Sequence, residues 1–233
     1  MKKMFISVLL LLVNVVYSQI KGLTEDGKEV VLFENGTWKF VNESDENVLR
    51  DIALNPEIFS KNEDATFLMR SKKLDIGVYF NPKKWRIASK SANPYIEYMF
   101  QETKSEKGAV AFLQSEKIEI PTYKNLKDIL LFNIEKNADF YRVKTSEYRT
   151  VNGLKVLYLR YIANIKGLDF EYGAYYWLEN EGYCGLVAFS PQKDFEGSFP
   201  RIQEFLNGIS AAKKSETVEV KEYTNPPPPM KSK

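Results

Sequence analysis

The chain has 233 residues, with 33 Lys and Arg against 31 Asp and Glu, no histidine and a single cysteine, Cys184. The missing histidine excludes Ser-His-Asp and Cys-His hydrolases and the usual zinc sites, and the near-neutral balance argues against nucleic-acid binding through a basic face or a polybasic membrane-surface role. A lone cysteine makes no internal disulfide, so stability has to come from a hydrophobic core, which a chain of this length can build.

In chain order, Lys2 and Lys3 precede an apolar stretch over residues 5–16 that leads to the small residue Ser18, the pattern of a secretory signal peptide cleaved near Ser18. Interrupted by Ser7 and Asn14, the stretch falls short of the roughly 20 apolar residues of a membrane span. No cysteine stands at its end, the one in the chain being Cys184, which argues against a lipoprotein anchor. The protein is therefore expected to be exported, periplasmic or extracellular, with no membrane span. Cleavage removes two lysines and leaves 31 cationic against 31 anionic residues.

Residues 19–42 read as a small β-meander, with Asp26-Gly27 and Asn35-Gly36 as hairpin turns whose residues tolerate the positive φ of a type I′ turn. Residues 43–66 are polar and acidic and read as a linker with one short helix around Val48, Leu49, Ile52 and Ala53. Residues 67–211 read as an α+β domain, a mostly antiparallel β-sheet flanked by helices. Its first strands are expected at 67–70, 74–80, 95–102, 109–115 and 117–120. A helix over 126–138 follows, with Asn125 as N-cap and Leu126, Ile129, Leu130 and Ile134 at helical spacing. Four strands at 141–151, 154–165, 170–178 and 183–189 are joined by turns too short for parallel crossovers. A closing helix over 199–209 is expected after the N-cap Ser198. Residues 212–233, with four prolines at 226–229, read as a disordered tail extended as polyproline II.

The stretch Gly77-Val78-Tyr79-Phe80-Asn81-Pro82-Lys83-Lys84-Trp85, the hairpin of residues 170–189 and the closing helix resemble the PsbP-like family, named for an extrinsic protein of the photosynthetic oxygen-evolving complex. The resemblance spans about residues 67–211 and implies an antiparallel sheet flanked by helices. It implies no catalytic residues, since that fold carries assembly factors and docking proteins of unrelated function. Residues 24–40, with Asn35-Gly36-Thr37-Trp38, resemble a short module near the N-terminus of exported proteins of Bacteroidota.

Aromatic residues crowd the stretch from Tyr158 to Tyr183. Alternation along a strand places Tyr172, Tyr176 and Leu178 on one face and Tyr175 and Trp177 on the other. If one face is exposed, Tyr175, Trp177 and Tyr183 become candidate ligand-binding residues, because aromatics with polar tips favour recognition surfaces. If neither is, they are cross-strand packing. Asp169 and Glu171 share a face and offer the carboxylates for a His-independent hydrolase, for example one acting on glycans, although nothing in their spacing marks a cleft. Cys184, in an apolar run, reads as a small buried hydrophobe, and the polar residues 103–107 as a solvated hairpin tip. No phosphate-binding or calcium loop occurs, so no cofactor and no metal site is expected. The leading expectation is a non-catalytic binding or assembly module of the cell envelope, with an envelope protein or a cell-wall glycan as partner.

Overall fold

The computed structural model describes residues 20–25, 27–88, 91, 93–103 and 108–215. Residues 1–18, expected as a signal peptide, residues 104–107 of the expected hairpin tip, and the part of the expected tail beyond Ser215 lie outside the described residues.

The N-terminal meander consists of β1 (Ile20–Leu23), β2 (Glu29–Leu32) and β3 (Trp38–Phe40), paired in that order. In its second turn Gly36 alone takes a positive φ, of 80°, so this is a glycine-closed loop and not a two-residue type I′ turn. Val31 is fully buried, and the meander packs on the main domain through Phe33, whose ring meets Phe140 edge-on at 6.4 Å. Its chain then runs on as an isolated bridge between Asn42 and Tyr141.

Residues 43–66 carry structure beyond the single helix expected of them. The short helix α1 (Glu46–Arg50) starts at Asp45, whose side chain caps the amide of Asn47, and strand β4 (Ala53–Phe59) follows. β4 lies at the edge of the main sheet, parallel to a much later strand. Its pairing is non-local and is interrupted around Pro56, a residue suited to an edge, so no local pattern announces it.

After β4 come β5 (Phe67–Arg70), β6 (Ile76–Phe80), β7 (Trp85–Ile87), β8 (Ile96–Glu102) and β9 (Val110–Glu116). Residues 117–120 form no strand. Helix α2 (Tyr123–Asn137) begins three residues earlier than the periodicity suggests, because the Thr122 hydroxyl accepts from the amide of Asn125 at 3.2 Å and is the N-cap. β10 (Tyr141–Val151), β11 (Leu154–Ile165), β12 (Leu168–Glu179) and β13 (Gly182–Pro191) form the expected antiparallel run. Two of its turns, Asn152-Gly153 and Lys166-Gly167, have positive φ at both residues, as a two-residue hairpin requires.

Helix α3 (Gln192–Leu206) starts well before Ser198, which is buried within it, and β14 (Ile209–Ala211) follows. Gly197-Ser198 and Pro200 read locally as a turn and a first-turn proline. The apolar stripe nevertheless continues back through Phe199 to Phe195, and burying it outweighs a cost of about 1 kcal/mol for the glycine and about 3 kcal/mol for the proline.

The main sheet has the order β4-β10-β11-β12-β13-β9-β8-β7, and a second sheet the order β14-β6-β5. On one face of the main sheet α3 and the second sheet enclose a core around Phe205, whose ring lies 4.4 Å from Trp85, 5.1 Å from Phe100 and 6.2 Å from Phe80. The Asn81-Pro82-Lys83-Lys84-Trp85 turn delivers Trp85 into this core, the Lys84 and Trp85 amides both donating to the Asn81 carbonyl. The opposite face packs beneath α2 and α1 around Leu126, Leu130, Leu157 and Leu159. There the buried Lys127 ammonium donates to the Val48 and Asp51 carbonyls at 2.6 and 2.7 Å and ties α2 to the end of α1.

Phe205→Ala empties the contact between both sheets and α3 and is expected to cost about 3–5 kcal/mol. Urea unfolding followed by circular dichroism measures this, and a loss below about 1 kcal/mol would show that the core closes without the ring.

Candidate functional site

Helix α2 is about 10 Å across with its side chains, whereas eight strands about 4.8 Å apart make a sheet roughly 34 Å wide. One helix therefore leaves part of its sheet face uncovered. What remains is a groove of ≈ 550 Å³, bounded by Leu130, Asn133, Ile134 and Asn137 of α2 on one side and by Asn93 and Tyr95 on the other.

The floor comes from alternate positions of β11, β12, β13 and β9. Tyr161 and Tyr172, paired across β11 and β12, stack at 4.7 Å with only 5° between their planes. Phe189 extends the stack at 5.1 Å. Four residues further along β12, Tyr176 pairs with Gly185, where an added Cβ would lie 2.9 Å from the tyrosine ring. The missing side chain lets the Tyr176 ring and Gln114 meet across β13. Tyr183 donates to the Glu116 carboxylate at 2.9 Å, and the Tyr161 and Tyr176 hydroxyls bond each other. Burial pushes the Tyr172 phenol up to about 12 and raises those of Tyr161, Tyr176 and Tyr183. All four are neutral hydrogen-bonding groups at physiological pH.

Among the described residues, the Gln114 and Asn133 amides and the Tyr172 hydroxyl make no side-chain hydrogen bond, so the groove presents open donors and acceptors. Glu116 is the one carboxylate among its described lining residues, and neither lysine nor arginine is among them.

The three residues singled out from the sequence divide between the two faces. Tyr183, 4% exposed, lies on the groove side and lines its floor. Tyr175 and Trp177, 0% and 9% exposed, point the other way into the core beneath α3, so the exposed aromatic pair envisaged on this hairpin is a packed one. The Tyr175 hydroxyl donates to Asn207 Oδ1 at 2.9 Å and accepts from Gln203 at 2.6 Å and from Arg149 at 3.1 Å. Sequence reasoning missed Gln114, Asn133 and Asn137. Their one local signal is spacing, two residues from Phe112 and Glu116 for Gln114 and three and seven after Leu130 for Asn133 and Asn137, which does not distinguish a groove from solvent.

Asp169 and Glu171 do not form an open pair. Glu171 is buried between Lys144 and Arg160, at 2.8 and 2.6 Å, while Asp169 accepts from Asn164 Nδ2 at 2.5 Å. Cys184 is fully buried, and burial pushes its thiol up to about 12. Among the described residues no group of three metal-ligating side chains occurs.

No protein-family model and no curated protein matches the chain. Solved structures similar to it include a cyanobacterial PsbP from Synechocystis, 9% identical, covering 64% of this chain and 94% of that chain with a TM-score of 0.47. Another is LpqN of Mycobacterium tuberculosis, involved in cell envelope biogenesis, 14% identical, covering 58% and 82% with a TM-score of 0.41. A third, from Bacteroides thetaiotaomicron, is 12% identical, covers 62% of this chain and 50% of that chain, and has a TM-score of 0.40. The α+β class expected from the sequence rests on this chain's own strands and helices.

Burial also pushes Tyr123 and Tyr141 up to about 12, like Tyr172. An unfolded tyrosine loses its proton near pH 10, so above that pH the unfolded state binds fewer protons and stability falls as pH rises toward about 12. In an alkaline titration the phenolate absorbance of these residues is expected to appear together with loss of the circular dichroism signal. Their independent ionisation near pH 10 in a folded protein would refute their burial.

Proposed function

We propose that this chain is an exported, non-catalytic binding module of the cell envelope, and that its ligand lies in the groove between α2 and residues 93–95. The observation that carries the reading is the set of unpartnered polar groups, Gln114, Asn133 and Tyr172, gathered over an aromatic floor in a groove of ≈ 550 Å³, within the usual size range of ligand sites. Tyr183 contributes to the floor and holds Glu116 in place. Export rests on the pattern of residues 1–18. Among the described residues no helix is long and apolar enough to cross a membrane.

Catalysis by carboxylates has no comparable support. General acid–base chemistry on a glycosidic bond needs two carboxyl groups facing one another across the substrate. The groove offers Glu116 alone among its described lining residues, already accepting from Tyr183, and Glu171 is engaged by two cations beneath α3.

Asn133 and Asn137 are exposed on α2, so tryptophan at both positions fills the groove without touching the core. The processed protein is expected to sediment with the isolated envelope fraction of its source cells, and Asn133→Trp/Asn137→Trp to lose about 90% of that retention at an unchanged melting temperature. Equal retention of both proteins would overturn the assignment of the groove.

A further inference from the structure

We infer that the groove beside α2 takes an uncharged saccharide bearing acetamido groups; the inference rests on the binding-module reading and names its ligand. The open polar groups are side-chain amides and a phenol, each able both to donate and to accept. Sugar hydroxyls and acetamido groups have the same dual character, and an acetamido group, whose N–H and C=O point in opposite directions, needs one acceptor and one donor on opposite sides, which separate side-chain amides and a phenol can supply. A phosphate or carboxylate ligand calls for Lys or Arg, and none is among the described lining residues.

The apolar surface fits the same chemistry. Tyr95, 55% exposed, offers a ring at the rim for the C–H face of a pyranose, and the half-buried Ile134 and Ile165 offer contact for an acetyl methyl group. An acyl chain would leave Gln114 and Tyr172 desolvated without partners, at about 1–3 kcal/mol each. An extended peptide fits less well because strand addition uses the free backbone groups of a sheet edge. The floor strands β11, β12, β13 and β9 are each paired on both sides, so they offer side chains and no open edge.

The test is isothermal titration calorimetry of the processed protein with the tetramer of N-acetylglucosamine, the tetramer of glucose and an acetylated peptide of mixed neutral sequence. Binding of the first at least about tenfold tighter than the other two is expected. Gln114→Leu, which keeps the side-chain volume and removes the amide, is expected to weaken it about tenfold, the equivalent of one or two hydrogen bonds, at an unchanged melting temperature. No binding of the acetamido sugar, preference for the peptide, or full affinity in Gln114→Leu each overturns the inference. The two readings fail separately. If Asn133→Trp/Asn137→Trp loses the envelope while the sugar does not bind, the module stands and the ligand class falls. If the sugar binds the groove while envelope retention ignores the tryptophans, the saccharide site stands and the envelope role falls.

Discussion

The structure depends on one geometric constraint: successive side chains of a strand point to opposite faces of its sheet, so every long central strand has to be covered twice. In β12 the run Ala174-Tyr175-Tyr176-Trp177-Leu178 sends Tyr175 and Trp177 toward α3, and Ala174, Tyr176 and Leu178 toward α2. The two covers are unequal. The first face has a helix and a three-stranded sheet above it, while the second has α2 across its centre and α1 near its edge. A closed core on one side and an open groove on the other follow from that inequality.

On the closed side, polar groups set the orientation of α3. Arg149 lies 3.6 Å from the centre of the Tyr158 ring and bonds Glu147, Tyr175 and Gln203, so a cation from β10 is satisfied by two strand residues and a helix residue together. Glu171 does the converse, accepting from Lys144 and Arg160 of two neighbouring strands, while Arg160 also reaches Glu196 on α3. Buried pairs of this kind add little net stability, but breaking one leaves an uncompensated charge. They therefore favour one seating of the helix over a slipped one. The Arg201–Glu102 pair acts likewise at another point along α3.

The edges of the sheet are handled by chain that carries little core of its own. β4, parallel to β10 and interrupted at Pro56, shields one edge from further pairing, as prolines do in edge strands. The N-terminal meander packs nearby through Phe33 and the Asn42–Tyr141 bridge, which gives a three-stranded sheet too small to persist alone a surface to rest on. Its outer face still presents Ile20, Leu32 and Trp38 in one cross-strand row.

The amino-acid sequence by itself determined the features that rest on local chemistry. Two-residue alternation marked β10 to β13, Asn152-Gly153 marked a two-residue hairpin, helical spacing marked α2, and the apolar surroundings of Cys184 marked it as buried. Features that rest on contacts between distant residues were decided only in the tertiary structure. β4 pairs with a strand some ninety positions away. α3 runs back through Gly197-Ser198 because Phe195 finds a core to fill. Alternation assigned Tyr175 and Tyr183 to opposite faces, but it could not say that α3 closes over the first while α2 leaves a groove beside the second. Periodicity specifies which side chains share a face, and only the widths and positions of the covering elements decide how much of that face meets water.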